Sequence, residues 1–372
     1  MKITCLRVLV FGFSLRVFVA FWNGFLGSSL GADLDALTFH LQAVKYAGNS
    51  TLDPFSIGWI YTYVLGLLYY VTTDSLFIGC LLSCLAWLWS AQVLLSCTRI
   101  LKVERSEQVK VILIYALLPS SIMFTSITLR EPFQLLFVNL AIYAILKIYI
   151  KNNSKHWFTL IAAIIFASSL HGALLAFGVI LFLGVLLLTS MHGKVKISWL
   201  KIGLMGFVGL IILWYGFSSF SNVAYNLDDG LDNSIQNYQQ SLLSVDARTH
   251  YKEDTKISGL SGLLFFIPLG FFQYLFEPFP WHVSAASDVI VLFENILRGY
   301  LIFKAWKVLK IAIDMRQKIL ILILFSYLIL ELIWSIGTIN WGTSIRHHLP
   351  AWGLLLLAAY ASLNQKYIYI KK

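Results

Sequence analysis

The sequence predicts an all-α, polytopic membrane protein, and three observations lead to this fold class. Of the 372 residues, 59% are hydrophobic and only 12% are charged, whereas soluble domains carry about 25% charged residues. Several apolar stretches reach the roughly 20 residues that a helix needs to cross about 30 Å of hydrocarbon. Residues 158–188 lack the apolar–polar alternation that is typical of membrane β-barrel strands. We expect about 10–12 membrane helices in a single integral domain over residues 1–372, without a large soluble domain.

The distribution of charge predicts which side of the membrane each segment faces. The chain has 28 basic and 18 acidic residues, a net charge of +10, but the basic residues do not form one patch of the kind that binds nucleic acid. Twenty of the 28 fall in six short segments that hold only three acidic residues, and the positive-inside rule makes these segments cytoplasmic. Both chain termini are then cytoplasmic. The six segments are residues 2–7, 99–110, 147–155, 194–201, 304–318 and 366–372.

Every stretch between two cytoplasmic segments must turn on the outer side. The first hydrophobic segment has no small-residue cleavage site after it, so we interpret it as the first span rather than a removable signal peptide. It leads to an outer loop at about residues 27–54. Further outer turns are expected at residues 130–132, where proline ends or begins a helix, at residues 171–172, and at residues 340–350. The polar clusters of the chain therefore face outward.

Two aromatic or proline-containing segments do not fit this alternation of sides. The stretches 55–98 and 260–303 each look like two spans where the charge rule needs an odd number, and residues 57–70 and 260–279 are the better candidates for the member that does not cross. We expect each to be re-entrant or interfacial rather than a crossing helix. The long polar loop at about residues 218–258 is too short for a separate domain. The four cysteines lie in apolar stretches without zinc or redox spacing, which predicts core packing.

Ionisable residues inside apolar segments mark either function or structural pairing. Glu294 and Arg298 are four residues apart on one helical face, so we expect them to neutralise each other. Arg16 and Glu331 have no partner nearby in sequence. Each forms either a buried ion pair with a distant residue or part of a polar cavity.

Asp33 and Asp35 begin a segment, residues 32–46, whose leucines recur at the spacing of an amphipathic helix on the outer surface. Carboxylates at this position have two explanations. One is capping of the helix N-terminus, which needs only an oxygen acceptor. The other is a role for at least one aspartate as a general base or in a metal-linked reaction.

Basic residues at the ends of other outward helices suit the binding of phosphate. The guanidinium groups of Arg130, next to Glu131, and of Arg346 can grip a phosphate or diphosphate at the depth of the lipid headgroups. Snorkelling to the headgroups is the alternative. His347 and His348 point about 100° apart on a helix, so they do not form a zinc site without other ligands. One of them can donate a hydrogen bond to phosphate, and His171 is either a site residue or a packed polar residue.

These features together resemble the GT-C superfamily of membrane glycosyltransferases. The resemblance rests on the first span with its acidic outer loop at residues 31–35, the aromatic segment at residues 59–63, and residues 118–122 leading into residues 129–132. Residues 342–350 also resemble motifs in the late helices of bacterial surface-polysaccharide proteins, including O-antigen-like repeat-unit polymerases. The resemblance spans most of the chain.

The resemblance implies a reaction at the outer face of a bacterial inner membrane. Asp33 or Asp35 would match the catalytic carboxylate, and the arginines would meet the phosphate of a polyprenyl-(di)phosphate-linked sugar or oligosaccharide. A divalent cation is the only cofactor that comes into consideration, and nothing requires it. Two other classes stay open, namely a transporter or flippase for a lipid-linked sugar or small molecule, and an acyltransferase with His171 or His348 as base.

Overall fold

The computed structural model describes residues 4–27, 33–48, 60–190, 248–251, 259–314 and 317–361. Within these ranges the chain is helical apart from turns and one isolated antiparallel bridge between His250 and Asn340. The predicted all-α class is therefore confirmed for the described residues. Residues 28–32 and 49–54 of the first outer loop, most of the 218–258 loop, and the basic segments 194–201 and 366–372 lie outside this part of the chain.

Fourteen α-helices occupy the described ranges. Two short 3₁₀ helices, Pro280–His282 and Leu349–Ala351, accompany them. The α-helices are α1 (Cys5–Phe25), α2 (Asp33–Gly48), α3 (Ile60–Val71), α4 (Leu76–Ile100), α5 (Arg105–Leu117), α6 (Pro119–Phe124), α7 (Glu131–Tyr149), α8 (His156–Leu170), α9 (Gly172–Ser190), α10 (Gly259–Phe276), α11 (Ala286–Asp314), α12 (Lys318–Gly337), α13 (Trp341–His347) and α14 (Trp352–Tyr360).

Five of the described helices, α1, α4, α7, α9 and α12, are long and apolar enough to cross a membrane. Helix α3 has only 12 residues, which at about 1.5 Å per residue is well short of the hydrocarbon thickness. The described helix is therefore too short to span alone. Residues 57–59 lie outside the described residues, and the expectation that residues 57–70 do not cross stays a prediction.

Local sequence sets the boundaries of the helices that carry the polar turns. Leu118 has extended backbone angles because it precedes Pro119, and this ends α5 and begins α6. Pro132 stands in the first turn of α7, where its missing N–H leaves no bond unmade. Asn340 caps α13, and its side chain accepts a hydrogen bond of 2.7 Å from the Thr343 N–H.

The core forms around α4 and α7, which pack against each other along their length. A buried polar group ties them to α5, because Asn139 Nδ2 donates to both Ser90 Oγ and Tyr115 OH at 2.9 Å. Gly353 lies against this group, and a Cβ there would stand 2.1 Å from Asn139 Oδ1. Three of the four cysteines are buried in this core, as predicted; they are Cys80, Cys84 and Cys97.

The buried Arg16 of α1 does not form the ion pair that was one of its two expected environments. Its guanidinium donates to Thr125 Oγ1, Ser121 Oγ and the carbonyl oxygens of Gly12 and Ala116 at 2.7–2.9 Å. It also lies 3.5 Å from the ring centroid of Trp87. Among the described residues it forms no ion pair with a carboxylate, so neutral acceptors and an aromatic face stabilise its charge.

The expected direct pairing of Glu294 with Arg298 is wrong. Glu294 instead accepts hydrogen bonds from the N–H and hydroxyl of Ser120 at 2.8 and 2.6 Å. Arg298 donates to the Leu275 carbonyl and to Asn295 Oδ1. Helical spacing permits a pair at i and i+4 but does not require it, and α6 and α10 supply other partners.

Segments that the charge rule assigns to one side lie at the same end of the bundle. Lys304 Nζ is 3.7 Å from Glu107 Oε2, which joins two of the predicted cytoplasmic segments. At the other end of α4, the ring of Phe77 lies 5.1 Å from that of Phe25, where α1 ends. Helix α4 has 25 residues and so separates the two ends by about 37 Å.

Candidate functional site

The end of the bundle opposite the predicted cytoplasmic segments carries most of the predicted site residues. The first turns of α2 and α7, the junction of α8 and α9, and helix α13 all contribute side chains there. We call one group, Asp35, Arg130, Glu131 and Arg346, the Arg346 cluster. A second group, His171, Trp334 and His347, is called the histidine–tryptophan stack.

Arg346 joins two carboxylates from distant helices. Its Nη1 lies 2.5 Å from Asp35 Oδ2, and its Nη2 and Nε donate to Glu131 Oε1 at 2.6 and 3.1 Å. Burial alone would lower the pKa of Arg346, but Glu131 and Asp35 outweigh this effect and raise it. The guanidinium therefore stays charged, and it connects α2, α7 and α13.

The two carboxylates differ sharply in exposure. The Asp35 side chain is 55% exposed, whereas that of Glu131 is 3% exposed. Glu131 Oε2 is fully covered and has no hydrogen-bond partner among the described residues. Glu131 is therefore a buried anchor for Arg346, while Asp35 is an exchangeable partner that a ligand in solvent can reach.

Arg130 lies beside this pair and closes the cluster towards α8. Its Nη1 donates to the Leu170 carbonyl at 3.1 Å, and its guanidinium carbon is 5.9 Å from the ring centroid of Phe39. Two guanidinium groups and two carboxylates thus meet at one end of the bundle. The formal charges of these four residues sum to zero, so binding of an anion there requires a carboxylate to withdraw.

The histidine–tryptophan stack stands next to the cluster. The ring of His347 lies parallel to that of Trp334 with centroids 4.0 Å apart, and His171 contacts the same indole at 4.3 Å. Burial and the charges of Arg346 and Arg130 lower the pKa of His347 well below its ordinary value. Burial, Arg130 and His347 do the same for the pKa of His171. Both imidazoles are neutral at physiological pH.

His348 is separate from its neighbour His347, as the 100° rotation per helical residue requires. It is buried, its Nδ1 lies 2.7 Å from Glu331 Oε2, and its Nε2 contacts the carbonyl oxygen of Tyr274 at 3.1 Å. Glu331 therefore takes the first of its two expected environments, a buried pair with a distant residue. Both ring nitrogens of His348 thus have partners, and neither partner belongs to the Arg346 cluster.

Asp33 is the first residue of α2, but its side chain lies outside what the structure describes. The described carboxylates do not present a cation site, because Asp35 and Glu131 both face Arg346. Among the described residues, no group of three or more His, Cys, Asp or Glu side chains is arranged to hold a metal ion.

Sequence reasoning missed the contacts that hold α13 in place. Asp288 is buried and accepts hydrogen bonds from Arg248 Nη1 and Nη2, from the Ser284 and Ala285 N–H groups and from Trp341 Nε1–H. Arg248, first among these donors, holds the pKa of Asp288 below its ordinary value. Residues 248–251 also bond to the backbone of residues 339–341. No periodic pattern in the sequence links these three segments.

Trp334 was also missed, because a tryptophan within an apolar helix has the appearance of an ordinary core residue. Its position three residues before the end of α12, next to a polar turn, is the only signal in the sequence.

In comparisons with known proteins, no family model and no curated sequence matches this chain.

Proposed function

We propose that this chain is a membrane glycosyltransferase or polysaccharide repeat-unit polymerase that uses a polyprenyl-(di)phosphate-linked sugar donor. In this proposal, about 10–12 helices of the GT-C type cross a bacterial inner membrane, with both termini in the cytoplasm. The Arg346 cluster then faces the outer side. The observation that supports the proposal best is the meeting of a half-exposed carboxylate with two arginines at one end of a bundle of apolar helices.

The geometry suggests how a carrier phosphate enters the cluster. Asp35 is the half-exposed partner of Arg346, so a phosphate oxygen can replace it at Nη1 while buried Glu131 keeps the guanidinium oriented. Arg130 adds a second positive charge beside the incoming anion. Displaced from Arg346, Asp35 becomes a carboxylate that is free to accept a proton.

The proposed reaction is a direct displacement at the anomeric carbon. The acceptor hydroxyl oxygen forms the new glycosidic bond as the bond to the carrier phosphate breaks, and Asp35 takes the hydroxyl proton. The phosphate leaves with the bonding electrons, and Arg346 and Arg130 stabilise its charge. Asp33 is the alternative base, because it begins the same helix.

Transport of a lipid-linked sugar is the second candidate, and the buried Glu331–His348 pair is the observation in its favour. Ionisable pairs inside a helical bundle are a feature of transport pathways. A transporter moves the lipid between leaflets without forming a glycosidic bond. The product therefore separates the two functions.

The test is transfer of a radiolabelled sugar from a polyprenyl-diphosphate donor to a lipid-linked acceptor by purified protein in lipid nanodiscs. We expect a labelled, longer glycan from the wild-type chain and a loss of about 100-fold or more from Asp35→Asn, with Asp33→Asn measured in parallel. Glu107→Gln, at the other end of the bundle, is the matched control and should retain activity. Movement of the donor between leaflets in vesicles with no new product would contradict the proposal.

A further inference from the structure

We propose that the histidine–tryptophan stack is a subsite for a neutral hydroxyl group, in which His347 Nε2 accepts a hydrogen bond from the hydroxyl and His171 Nε2–H donates one to its oxygen. This inference rests on the proposed function only for the identity of the hydroxyl, which is then one on the sugar beside the carrier phosphate. The protonation of the two rings follows from the structure alone.

Two hydrogen bonds fix the proton of His347. The Thr338 hydroxyl has a single hydrogen, which it donates to the Trp334 carbonyl at 2.8 Å. Thr338 Oγ1 can then only accept at its 2.8 Å contact with His347 Nδ1. His347 therefore carries its proton on Nδ1, and in the neutral ring Nε2 has a free lone pair.

A backbone amide fixes His171 in the opposite form. The Ala173 N–H donates to His171 Nδ1 at 3.1 Å, so this nitrogen is unprotonated. The neutral ring must then carry its proton on Nε2. One imidazole of the stack thus offers an acceptor and the other a donor, because their local partners occupy complementary nitrogens.

The rings that carry the two free nitrogens are neighbours. The ring centroids of His171 and His347 are 6.1 Å apart and both rings contact the Trp334 indole, so we infer that one small group can contact both rings. Neither Nε2 bonds to another residue in the described part of the chain. The buried Trp334 Nε1–H also has no partner there, which adds a third unused polar atom to the stack.

The combination of donor and acceptor selects a hydroxyl over an anion or a cation. A phosphate oxygen has no proton to give to the lone pair of His347, and a metal ion would meet the charge of the neighbouring Arg346. A hydroxyl donates and accepts at once. The subsite therefore complements the Arg346 cluster beside it, so that a sugar phosphate can place its charge on the arginines and one hydroxyl between the histidines.

The test is NMR of the full chain in nanodiscs with ¹⁵N-labelled histidine, which distinguishes protonated from unprotonated ring nitrogens without any enzymatic activity. His347→Gln and His171→Gln assign the signals. If either variant fails to fold, Thr338→Val provides the assignment, because it should disturb the His347 signals alone. Thr338→Ser keeps the hydroxyl and should not disturb them. Dodecyl glucoside is the hydroxyl probe, and inorganic pyrophosphate is the anion probe.

We expect His347 protonated at Nδ1 and His171 at Nε2, with both Nε2 signals shifted by the glucoside and the protonation of both rings unchanged by pyrophosphate. The opposite or a mixed protonation of either ring would overturn the proposal. Unshifted signals at saturating glucoside would also overturn it. No transfer reaction is measured in this experiment. The NMR result therefore does not depend on whether the glycosyltransferase assay succeeds.

Discussion

Arg346 and Arg16 are both largely buried, yet their charges are stabilised in different ways. Arg16 donates only to hydroxyls and carbonyl oxygens, so its environment is complete without any ligand. Arg346 bonds to one buried and one half-exposed carboxylate. Only the second arrangement leaves a partner that a ligand can replace, and this difference makes Arg346 the candidate for binding an anion.

The buried half of the Arg346 cluster can be tested through stability. Arg346→Met leaves Glu131 as a buried, unpaired carboxylate, which should cost about 3–5 kcal/mol in the free energy of unfolding. Adding Glu131→Gln should recover part of this loss, because both charges are then absent. Denaturation of the purified chain in detergent measures Arg346→Met, Glu131→Gln and the double variant.

Asp35→Asn is the control for this cycle. A half-exposed ion pair is screened by solvent, so the loss should be about 1 kcal/mol or less. Strictly additive effects of Arg346→Met and Glu131→Gln would show that the two side chains do not interact in the folded protein.

The histidines of the stack predict a dependence of stability on pH. The pKa values of both histidines are lowered in the folded chain. At a pH below their unfolded-state pKa of about 6.5, the unfolded chain therefore binds more protons than the folded chain. Stability is fully present above this pH and should fall as the pH decreases, by up to about 1.4 kcal/mol per pH unit for each histidine.

Thermal unfolding between about pH 8 and about pH 5, a range on both sides of the ordinary histidine pKa, measures this slope. His347→Gln should flatten this slope, because it removes one of the two histidines whose pKa is lowered in the folded chain. A slope for His347→Gln equal to that of the wild-type chain would contradict a neutral, buried His347.

At the scale of elements, the seven-residue helix α13 carries both Arg346 and His347. A helix of this length is not stable alone, so its position depends on its attachments. Asn340 caps its first turn, and the Trp341 indole donates to Asp288 at 3.2 Å. Asp288 is in turn held by Arg248, from the loop that precedes α10.

This attachment predicts that Asp288 positions α13 although it does not touch the Arg346 cluster. Asp288→Ala removes the acceptor of four donor residues, so we expect faster hydrogen exchange of the α13 backbone and at least a tenfold loss of sugar transfer. Arg248→Ala removes only a half-exposed partner and should have a smaller effect. Unchanged exchange in Asp288→Ala would show that α13 is held by other contacts.

At the scale of the whole molecule, the sequence predicts the helices and the grouping of their ends. Apolar runs define the helices, and the charge pattern assigns the turns with Asp35, Arg130, His171 and Arg346 to the side opposite the basic segments. In the structure these turns meet at one end of the bundle. The pairing of Arg346 with Glu131 was not predictable, because it depends on the packing of α7 against the segment around α13. The same holds for Asp288, whose partners are up to 53 residues away.

The sidedness of the two ends is the central claim, because a site for a polyprenyl-linked donor at the outer face requires it. In a cysteine-free background, single cysteines replace Thr343 in α13, and Ser106 and Asn153 in the basic segments at the other end. A membrane-impermeant maleimide is then applied to intact spheroplasts and to inverted vesicles. We predict labelling of Thr343→Cys only from outside and of Ser106→Cys and Asn153→Cys only from the cytoplasmic side. Labelling of Thr343→Cys from the cytoplasm would contradict the account.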